Sequence, residues 1–207
     1  MRAFIYTGGK VYAEGVTERP EGDDLVIAAD AGLRNAERFG VAPSILLGDF
    51  DSLEEPEVPN GCELIRVPVE KNETDTQLAV ACAIDRGAKE LVIVGGLEGR
   101  LDHTLSTVAI LEQLAGRRIH AVLTNGKNRV RFLRNGGVII PRSDYRFLSL
   151  IASDPVVKGV TLEGCKYPLK KAKLFKTNQY AVSNEIEGNC ALVEIRRGGV
   201  WIVESKD

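Results

Sequence analysis

Short apolar runs alternate with polar or glycine-containing breaks along the first 124 residues. Continuous runs of this kind are typical of strands that are buried on both faces, as in a parallel sheet covered by helices. The pattern predicts buried strands at residues 2–6, 24–29, 44–47, 64–67, 91–94 and 119–124.

Helical patterns separate several of these strands. Residues 33–39 form a short one, which Gly40 ends. A longer one follows Thr74, where the sequence Thr-Asp-Thr-Gln has the form of a capping box. Apolar residues again recur at helical spacing over residues 101–116. Strands alternating with helices predict an α/β domain with a mainly parallel, Rossmann-like sheet over residues 1–124.

The pattern changes after Asn125. Apolar or alternating runs are now separated by Gly, Asn, Pro or Asp, and no helical periodicity of useful length is present. These runs lie at residues 130–133, 138–140, 145–152, 156–162, 190–195 and 200–203. Such a pattern is typical of a small antiparallel sandwich or barrel. We therefore predict an all-β sandwich domain over residues 125–207, and the sequence is equally compatible with tight packing between the two halves.

Composition narrows the range of functions. The 207 residues are 44% hydrophobic and 27% charged, which is ordinary for a globular protein. With 27 Lys and Arg against 29 Asp and Glu, the chain has no basic block, and we expect no nucleic-acid partner. The apolar runs are too short to cross a bilayer and the first residues lack a signal-peptide pattern, so we expect a cytoplasmic protein without a membrane partner. The 4 cysteines are widely separated, which disfavours a zinc site or a disulfide framework.

Two carboxylates directly follow the predicted strand at residues 44–47, in the sequence Gly48-Asp49-Phe50-Asp51-Ser52. In extended backbone, residues two apart point to the same side and lie about 6 to 7 Å apart. This spacing suits a hard cation such as Mg²⁺, which takes oxygen ligands and shares its other positions with water and phosphates. The alternative is a solvated acidic loop.

Other charged residues fall at the same edge of the predicted sheet. Ligands of open α/β sheets bind beyond the carboxyl ends of the strands. Carboxylates that converge there repel one another unless a cation offsets them, so we predict Mg²⁺ carrying a polyphosphate. The predicted group consists of Asp30, Asp49, Asp51, Asp75 and Asp102 together with Lys71, Arg100 and His103.

The cationic and glycine residues of this group suit phosphate. Arg100 presents a planar fork and Lys71 a point charge to phosphate oxygens. Gly96, within a glycine-rich turn, lets backbone approach a ligand closely. Neither the Walker phosphate loop nor the Gly-x-Gly-x-x-Gly fingerprint is present in the sequence, which disfavours a Walker-type ATPase and a nicotinamide dehydrogenase. For Lys71, Asp75 and His103 there is also an alternative to a role in the site: each could be an ordinary structural or solvent-exposed residue.

Taken together, the motifs resemble the thiamine pyrophosphokinase family along nearly the whole chain. The residues that carry the resemblance are Ala29-Asp30-Ala31-Gly32, Gly48-Asp49-Phe50-Asp51-Ser52, Lys71 with Thr74-Asp75, Gly96, Gly99-Arg100-Leu101-Asp102-His103, Gly164-Cys165-Lys166-Tyr167-Pro168 and Ser183-Asn184.

The resemblance implies Mg²⁺-dependent transfer of the terminal diphosphate of ATP to thiamine, which gives thiamine diphosphate and AMP. It implies a catalytic domain over residues 1–124, a thiamine-binding and dimerisation domain over 125–207, and a homodimer with active sites at the subunit interface. The implied metal ligands are Asp30, Asp49, Asp51 and Asp75, with Asp102 as a further catalytic residue. The implied phosphate contacts are Asp30, Gly32, Lys71, Thr74, Gly96, Arg100 and His103, and the implied thiamine contacts are Ser183, Asn184 and Trp201.

Two positions depart from the pattern of the family. Ala31 stands where a second glycine is usual, and Thr107 stands where an asparagine often follows the Asp-His pair. Two other functions share parts of this pattern: a diphosphokinase for another alcohol, such as a hydroxymethylpterin, and a non-catalytic thiamine or nucleotide sensor. Trp201 has a core aromatic as its alternative role.

Overall fold

The computed structural model describes residues 1–50, 58–70 and 72–207. Asp51 and Lys71, both predicted site residues, lie outside these ranges. The described chain divides into two compact units. Unit 1 comprises Met1–Ile110 and Arg118–Gly126, and unit 2 comprises Leu111–Arg117 and Lys127–Asp207.

The strands of unit 1 pair in parallel, which confirms the predicted pairing. They are β1 (Arg2–Tyr6), β2 (Leu25–Ala29), β3 (Ile45–Gly48), β4 (Glu63–Arg66), β5 (Glu90–Val94) and β6 (His120–Thr124). Their order across the sheet is β6-β5-β1-β2-β3-β4. The chain thus runs outward from β1 in two opposite directions. Such a reversal opens a crevice beyond the carboxyl ends of the strands, where ligands bind.

The helices are α1 (Gly32–Arg38), α2 (Asp75–Asp85) and α3 (Leu101–Gly116), with a 3-10 helix at Ala13–Gly15. The three α-helices lie within one or two residues of the predicted positions, and the 3-10 helix was not predicted. No helix in the described ranges is both long and apolar enough to cross a membrane. In α3 the first two leucines of the predicted apolar stripe, Leu101 and Leu105, are 69% and 60% exposed. The buried face begins at Thr107 and continues with Ile110, Leu111 and Leu114.

The core of unit 1 is built from the central strands. Phe4, Tyr6, Ile27, Leu46 and Ile93 are fully buried. Burial of each such side chain stabilises the fold by about 1.5 to 3 kcal/mol. These strands read as unbroken apolar runs because both faces of the sheet are covered.

Unit 2 is rich in antiparallel strands. They are β7 (Asn128–Pro141), β8 (Phe147–Ala152), β9 (Val156–Glu163), β10 (Leu169–Phe175) and β11 (Cys190–Ser205). β11 pairs with β7 on one side, and on the other with β9 through its first half and β8 through its second half. β10 pairs with β9. One apolar core, with Leu150, Val160 and Val193 among its buried members, lies between them.

Two predicted breaks in this unit are bends within single strands. The runs on either side of Gly136-Gly137 form β7, and those on either side of Gly198-Gly199 form β11. The register between the two strands shifts between Ile195 and Gly199 and pairing resumes beyond it. β10 was missed because its sequence contains three lysines, which hide the alternation of a strand with one face in water.

Candidate functional site

A cavity of about 660 Å³ lies in unit 1 where several segments end or begin. Its walls come from the residues after β1, β2 and β5, from the first turn of α2 and from the start of α3. The structure brings six predicted site residues to these walls: Asp30, Thr74, Asp75, Gly96, Arg100 and His103.

The acidic residues after β2 and β3 are held close together by backbone contacts. The Asp30 N–H donates to the carbonyl oxygen of Leu47 at 2.7 Å. A Cβ at Gly48 would lie 3.1 Å from the Cα of Asp30, so a glycine is what allows the two strand ends to approach. Asp49 follows Gly48 directly and is half-buried. The carboxylates of Asp30 and Asp49 therefore leave neighbouring strands at one edge of the sheet.

The first turn of α2 is fixed by the predicted capping box, which is present. The Gln77 N–H donates to Thr74 Oγ1 at 3.2 Å, and the Thr74 N–H donates to Gln77 Oε1 at 2.8 Å. Thr74, Asp75 and Thr76 all line the cavity. The positive end of this 11-residue helix therefore lies at the cavity wall, where it favours anions.

Two glycine turns, after β1 and β5, are joined by backbone hydrogen bonds. The Gly96 N–H donates to the Gly8 carbonyl oxygen at 2.9 Å. Gly95 has a φ of +112°, and a Cβ there would lie 2.5 Å from the Thr7 carbonyl oxygen, so no other residue fits. The buried side chain of Asn35 donates to the carbonyl oxygens of Thr7 and Gly9 at 2.7 and 3.0 Å.

Sequence reasoning missed the turn at Thr7, Gly8 and Gly9 as part of the site. The signal was available, because a glycine pair follows β1 just as one follows β5. The neighbouring Gly32 has a packing role: a Cβ there would lie 2.0 Å from the Tyr6 carbonyl oxygen, so glycine allows α1 to lie against the end of β1.

Arg100 and Asp102 form an exposed pair at the start of α3. Arg100 Nε and Nη2 donate to the two carboxylate oxygens of Asp102 at 3.2 and 2.6 Å. These hydrogen bonds, with a further one from the His103 N–H, hold the pKa of Asp102 below its ordinary value. Asp102 therefore stays ionised and offsets the charge of Arg100.

The two positions that depart from the family pattern both line the cavity beside the glycine turns. The Cβ of Ala31 would lie 3.6 Å from a Cβ placed on Gly8, so its methyl group narrows the cavity at that turn. Thr107 donates its hydroxyl to the His103 carbonyl oxygen at 2.9 Å. Its methyl carbon would lie 3.2 Å from a Cβ on Gly96. Thr107 lines the cavity beside Gly96, and its hydroxyl is hydrogen-bonded within α3.

The donor set suits a magnesium ion that is shared with phosphates. Within the described ranges, no three His, Cys, Asp or Glu side chains are grouped closely enough to hold a metal ion. Mg²⁺ needs no such group, since it binds through one or two carboxylates together with water and substrate phosphates. The carboxylates of Asp30 and Asp75 at the cavity, and of Asp49 beside Asp30, could hold such an ion.

The three predicted thiamine contacts lie in unit 2. Ser183 has a φ of +56°, and its N–H donates to Ser149 Oγ at 3.0 Å. The buried Asn184 accepts from the Tyr167 N–H at 3.0 Å and donates to the Tyr167 carbonyl oxygen at 2.7 Å. Its side chain therefore fixes the local backbone.

Trp201, the third of these residues, lies on β11. Its ring meets that of Phe132 edge-on, with centroids 5.6 Å apart. Trp201 is half-buried.

Family models match both parts of the chain. Residues 18–123 match the thiamin pyrophosphokinase catalytic domain, and residues 137–199 match the thiamin pyrophosphokinase vitamin B1 binding domain. The chain belongs to the thiamin pyrophosphokinase family. Accordingly, it is an enzyme with thiamine pyrophosphokinase activity, and its substrates are ATP and thiamine.

Individual relatives agree with membership in this thiamin pyrophosphokinase family. Thiamine pyrophosphokinase of Bacillus subtilis is 26% identical over 209 residues, which cover 99% of this chain and 98% of the relative. The crystal structure of the B. subtilis protein has a TM-score of 0.89 at 24% identity, with both chains fully covered, and shares the fold. A thiamin pyrophosphokinase family protein from Enterococcus faecalis has a TM-score of 0.83 at 28% identity over the whole of both chains.

Proposed function

We propose that the cavity of unit 1 binds the phosphates of ATP and that diphosphate transfer to thiamine takes place there. The observation that carries this proposal is the meeting of the α2 N-terminus, two glycine turns and the carboxylates of Asp30 and Asp75 at one cavity. Helix N-terminal N–H groups favour phosphate oxygens, and the carboxylates supply metal ligands.

Phosphate oxygens would be bound both by backbone groups and by charged side chains. The first turn of α2 presents N–H groups, with Thr74 as the capping residue, and Gly96 lets backbone approach the ligand closely. Arg100 would exchange its contact with Asp102 for phosphate oxygens, which it can grip with two parallel hydrogen bonds. His103 lines the same wall, and Lys71 would add a further positive charge.

The proposed magnesium ligands are Asp30, Asp49, Asp51 and Asp75. When bound, the ion neutralises phosphate charge and polarises the phosphorus that is attacked. These side chains would position the nucleotide so that the β-phosphorus faces the acceptor alcohol.

In the transfer itself, the hydroxyethyl oxygen of thiamine forms a bond to the β-phosphorus and the bond to the α-phosphate oxygen breaks, which releases AMP. The alcohol loses its proton in this step. The candidate acceptors are Asp75, which lines the cavity, and Asp102, which Arg100 would release when it turns to phosphate.

The thiamine contacts are proposed to be Ser183, Asn184 and Trp201. Asn184 would hold the backbone on which Ser183 lies, since its amide group bonds to Tyr167. Trp201 would stack on an aromatic ring of thiamine through its exposed face.

Several features of architecture belong to the same proposal. They are a Rossmann-like catalytic domain over residues 1–124, a β-sandwich domain over residues 125–207, and a homodimer with active sites at the subunit interface. The order β6-β5-β1-β2-β3-β4, which reverses direction at β1, supports the first of these. Sedimentation equilibrium tests the third, since a single monomeric species at the assay concentration would contradict it.

The activity test combines the protein with ATP, Mg²⁺ and thiamine and resolves the products by chromatography. We expect AMP and thiamine diphosphate in equal amounts, and none when the metal is chelated. Replacement of thiamine by a hydroxymethylpterin is the control. AMP release that depends on the pterin and not on thiamine would refute the assignment.

Quenching of Trp201 fluorescence by a thiamine analogue tests the thiamine site separately. Trp201 is the single tryptophan of the chain, so the signal has one source. Unchanged fluorescence at saturating thiamine, in protein that still turns over, would remove Trp201 from the site.

A further inference from the structure

A second, larger cleft lies in unit 2 and is lined mainly by cationic side chains. Its volume is about 880 Å³, within the range of about 300 to 1,000 Å³ that is usual for small-molecule sites. The cationic side chains that line it are Lys158, Lys171, Lys173, Arg196 and Arg197. Glu194 is the acidic residue among the described residues of its walls.

The strand register places three of these cations side by side. Lys158 on β9 pairs with Lys173 on β10 and with Arg197 on β11. Like charges directly opposite each other on neighbouring strands destabilise a sheet. Repulsion among these cations therefore lowers the stability of the folded protein when the cleft is empty. An anion bound in the cleft would remove that repulsion.

Acidic side chains of the described chain do not offset these charges. The side chains of the five cationic residues form no ion pair or hydrogen bond with another described residue. Other arginines of unit 2 are paired: Arg134 contacts Glu112 at 2.6 Å, and Arg131 contacts Glu204. The cleft is thus a place where unit 2 gathers positive charge without matching it.

Glycines shape the surface between the cations. Gly136, Gly137 and Gly159 line the cleft and leave backbone without side chains there. Gly159 has a φ of +67°, and a Cβ at this position would lie 2.6 Å from the Cβ of Arg196. A side chain at residue 159 would therefore displace Arg196.

We propose that this cleft is a binding site for a small anion that carries two or more linked phosphates. Neighbouring strands lie about 4.8 Å apart, so cations on three adjacent strands span about 10 Å and match a phosphate chain better than a single phosphate. Arginine grips phosphate oxygens with paired hydrogen bonds and lysine adds a point charge. A nucleic acid fits less well, because the positive charge is confined to one cleft of a chain with a net charge of -2.

The site can be tested by calorimetric titration of tripolyphosphate into the full-length protein with a metal chelator present. The double variant Lys158→Ala, Lys173→Ala should bind at least tenfold more weakly than the wild type at this site. Lys170→Ala is the matched control: Lys170 is exposed on the same strand, β10, but is not part of the cleft wall, and its variant should bind as the wild type does. Raised salt should weaken the binding.

Measurement of the Tm shows whether the variants fold, and it provides a second test of the proposed anion site. Removal of Lys158 and Lys173 should leave the Tm unchanged or raise it, because repulsion between them is lost. Tripolyphosphate should raise the Tm of the wild type more than that of the double variant. AMP release from ATP and thiamine should stay within about twofold in the double variant, so this proposal and the proposed activity can fail independently.

Further ligands define what the site recognises. At the cleft, measured as the binding that the double variant loses, affinity should increase from AMP to ATP, and equal affinity for the two there would overturn the proposal. If tripolyphosphate binds as tightly as ATP, the cleft recognises the phosphate chain alone. If ATP binds more tightly, the natural ligand of the cleft is a nucleotide. The proposal is overturned if the double variant binds tripolyphosphate as the wild type does. It is equally overturned if single-stranded DNA binds the cleft more tightly than tripolyphosphate.

Discussion

The hydroxyl oxygens of Thr7 and Thr76 lie 2.8 Å apart and share a hydrogen bond. Thr7 follows β1, and Thr76 belongs to the first turn of α2, 69 residues later in the chain. Both side chains are buried, at 7% and 8% exposure. This contact fixes the N-terminus of α2, and with it Asp75, against the turn at the end of β1.

Thr76→Val should therefore affect both stability and turnover. The variant leaves the Thr7 hydroxyl buried without its partner, which costs about 1 to 3 kcal/mol. Because the α2 start would lose its contact with β1, kcat should fall as well. Denaturant unfolding and AMP release measure the two effects, and Thr76→Ser, which keeps the hydroxyl, is the control. The double variant Thr7→Val, Thr76→Val should regain part of the lost stability, and strict additivity of the two losses would argue against the contact.

Asp49→Asn and Asp75→Asn should largely abolish AMP release while the protein stays folded. Exposed or half-buried carboxylates contribute little to stability, whereas loss of a metal ligand removes charge stabilisation in the transition state. A kcat/KM lower by at least about 100-fold is expected for each, which corresponds to about 2.7 kcal/mol. Asp85→Asn, at the far end of α2, is the control. Near-normal turnover in both site variants would contradict the proposed role.

Gly32→Ala should destabilise the protein through packing alone. The new Cβ would lie 2.0 Å from the Tyr6 carbonyl oxygen, so α1 or β1 must shift. Overpacking of this kind costs about 1 to 3 kcal/mol. Gly116→Ala is a matched control, because a Cβ at this helical glycine meets no atom within 4 Å and alanine favours a helix by up to about 1 kcal/mol. Equal unfolding midpoints for the two variants would show that α1 does not pack as described.

Cys165 should resist thiol reagents in the folded protein at pH 8. Burial raises the pKa of its thiol to about 11, so only about 0.1% is thiolate at that pH. The reactive form is the thiolate, and its fraction rises as the pH approaches the pKa. Mass spectrometry after timed alkylation should find the exposed Cys190 modified first, with Cys165 modified only after unfolding. Labelling of Cys165 at the rate of Cys190 in native protein would contradict its burial.

The parts of the fold that depend on local pattern could be predicted from the sequence. β1 agrees to the residue, and the α2 start was identified from Thr74 and Gln77 because a capping box is a contact between near neighbours. The strands of unit 2 were harder to predict. Glycines at 136–137 and 198–199 read as breaks, yet two strands that pair with each other can bend together and keep their hydrogen bonds on both sides.

The sequence alone also singled out the residue types of the candidate site, since carboxylates, arginine and glycines near strand ends point to phosphate and metal chemistry. What it determined is the alternation of elements, the capped start of α2 and the family to which the chain belongs. Only the tertiary structure decided that the Thr7–Gly9 turn lines the cavity, that Arg100 is held by Asp102, and that Lys158 meets Lys173 and Arg197. The first and the third join residues through strand order and register, which arise from packing of the whole chain and are not encoded in any single stretch of it. The contact of Arg100 with Asp102, two residues apart, depends instead on side-chain conformation.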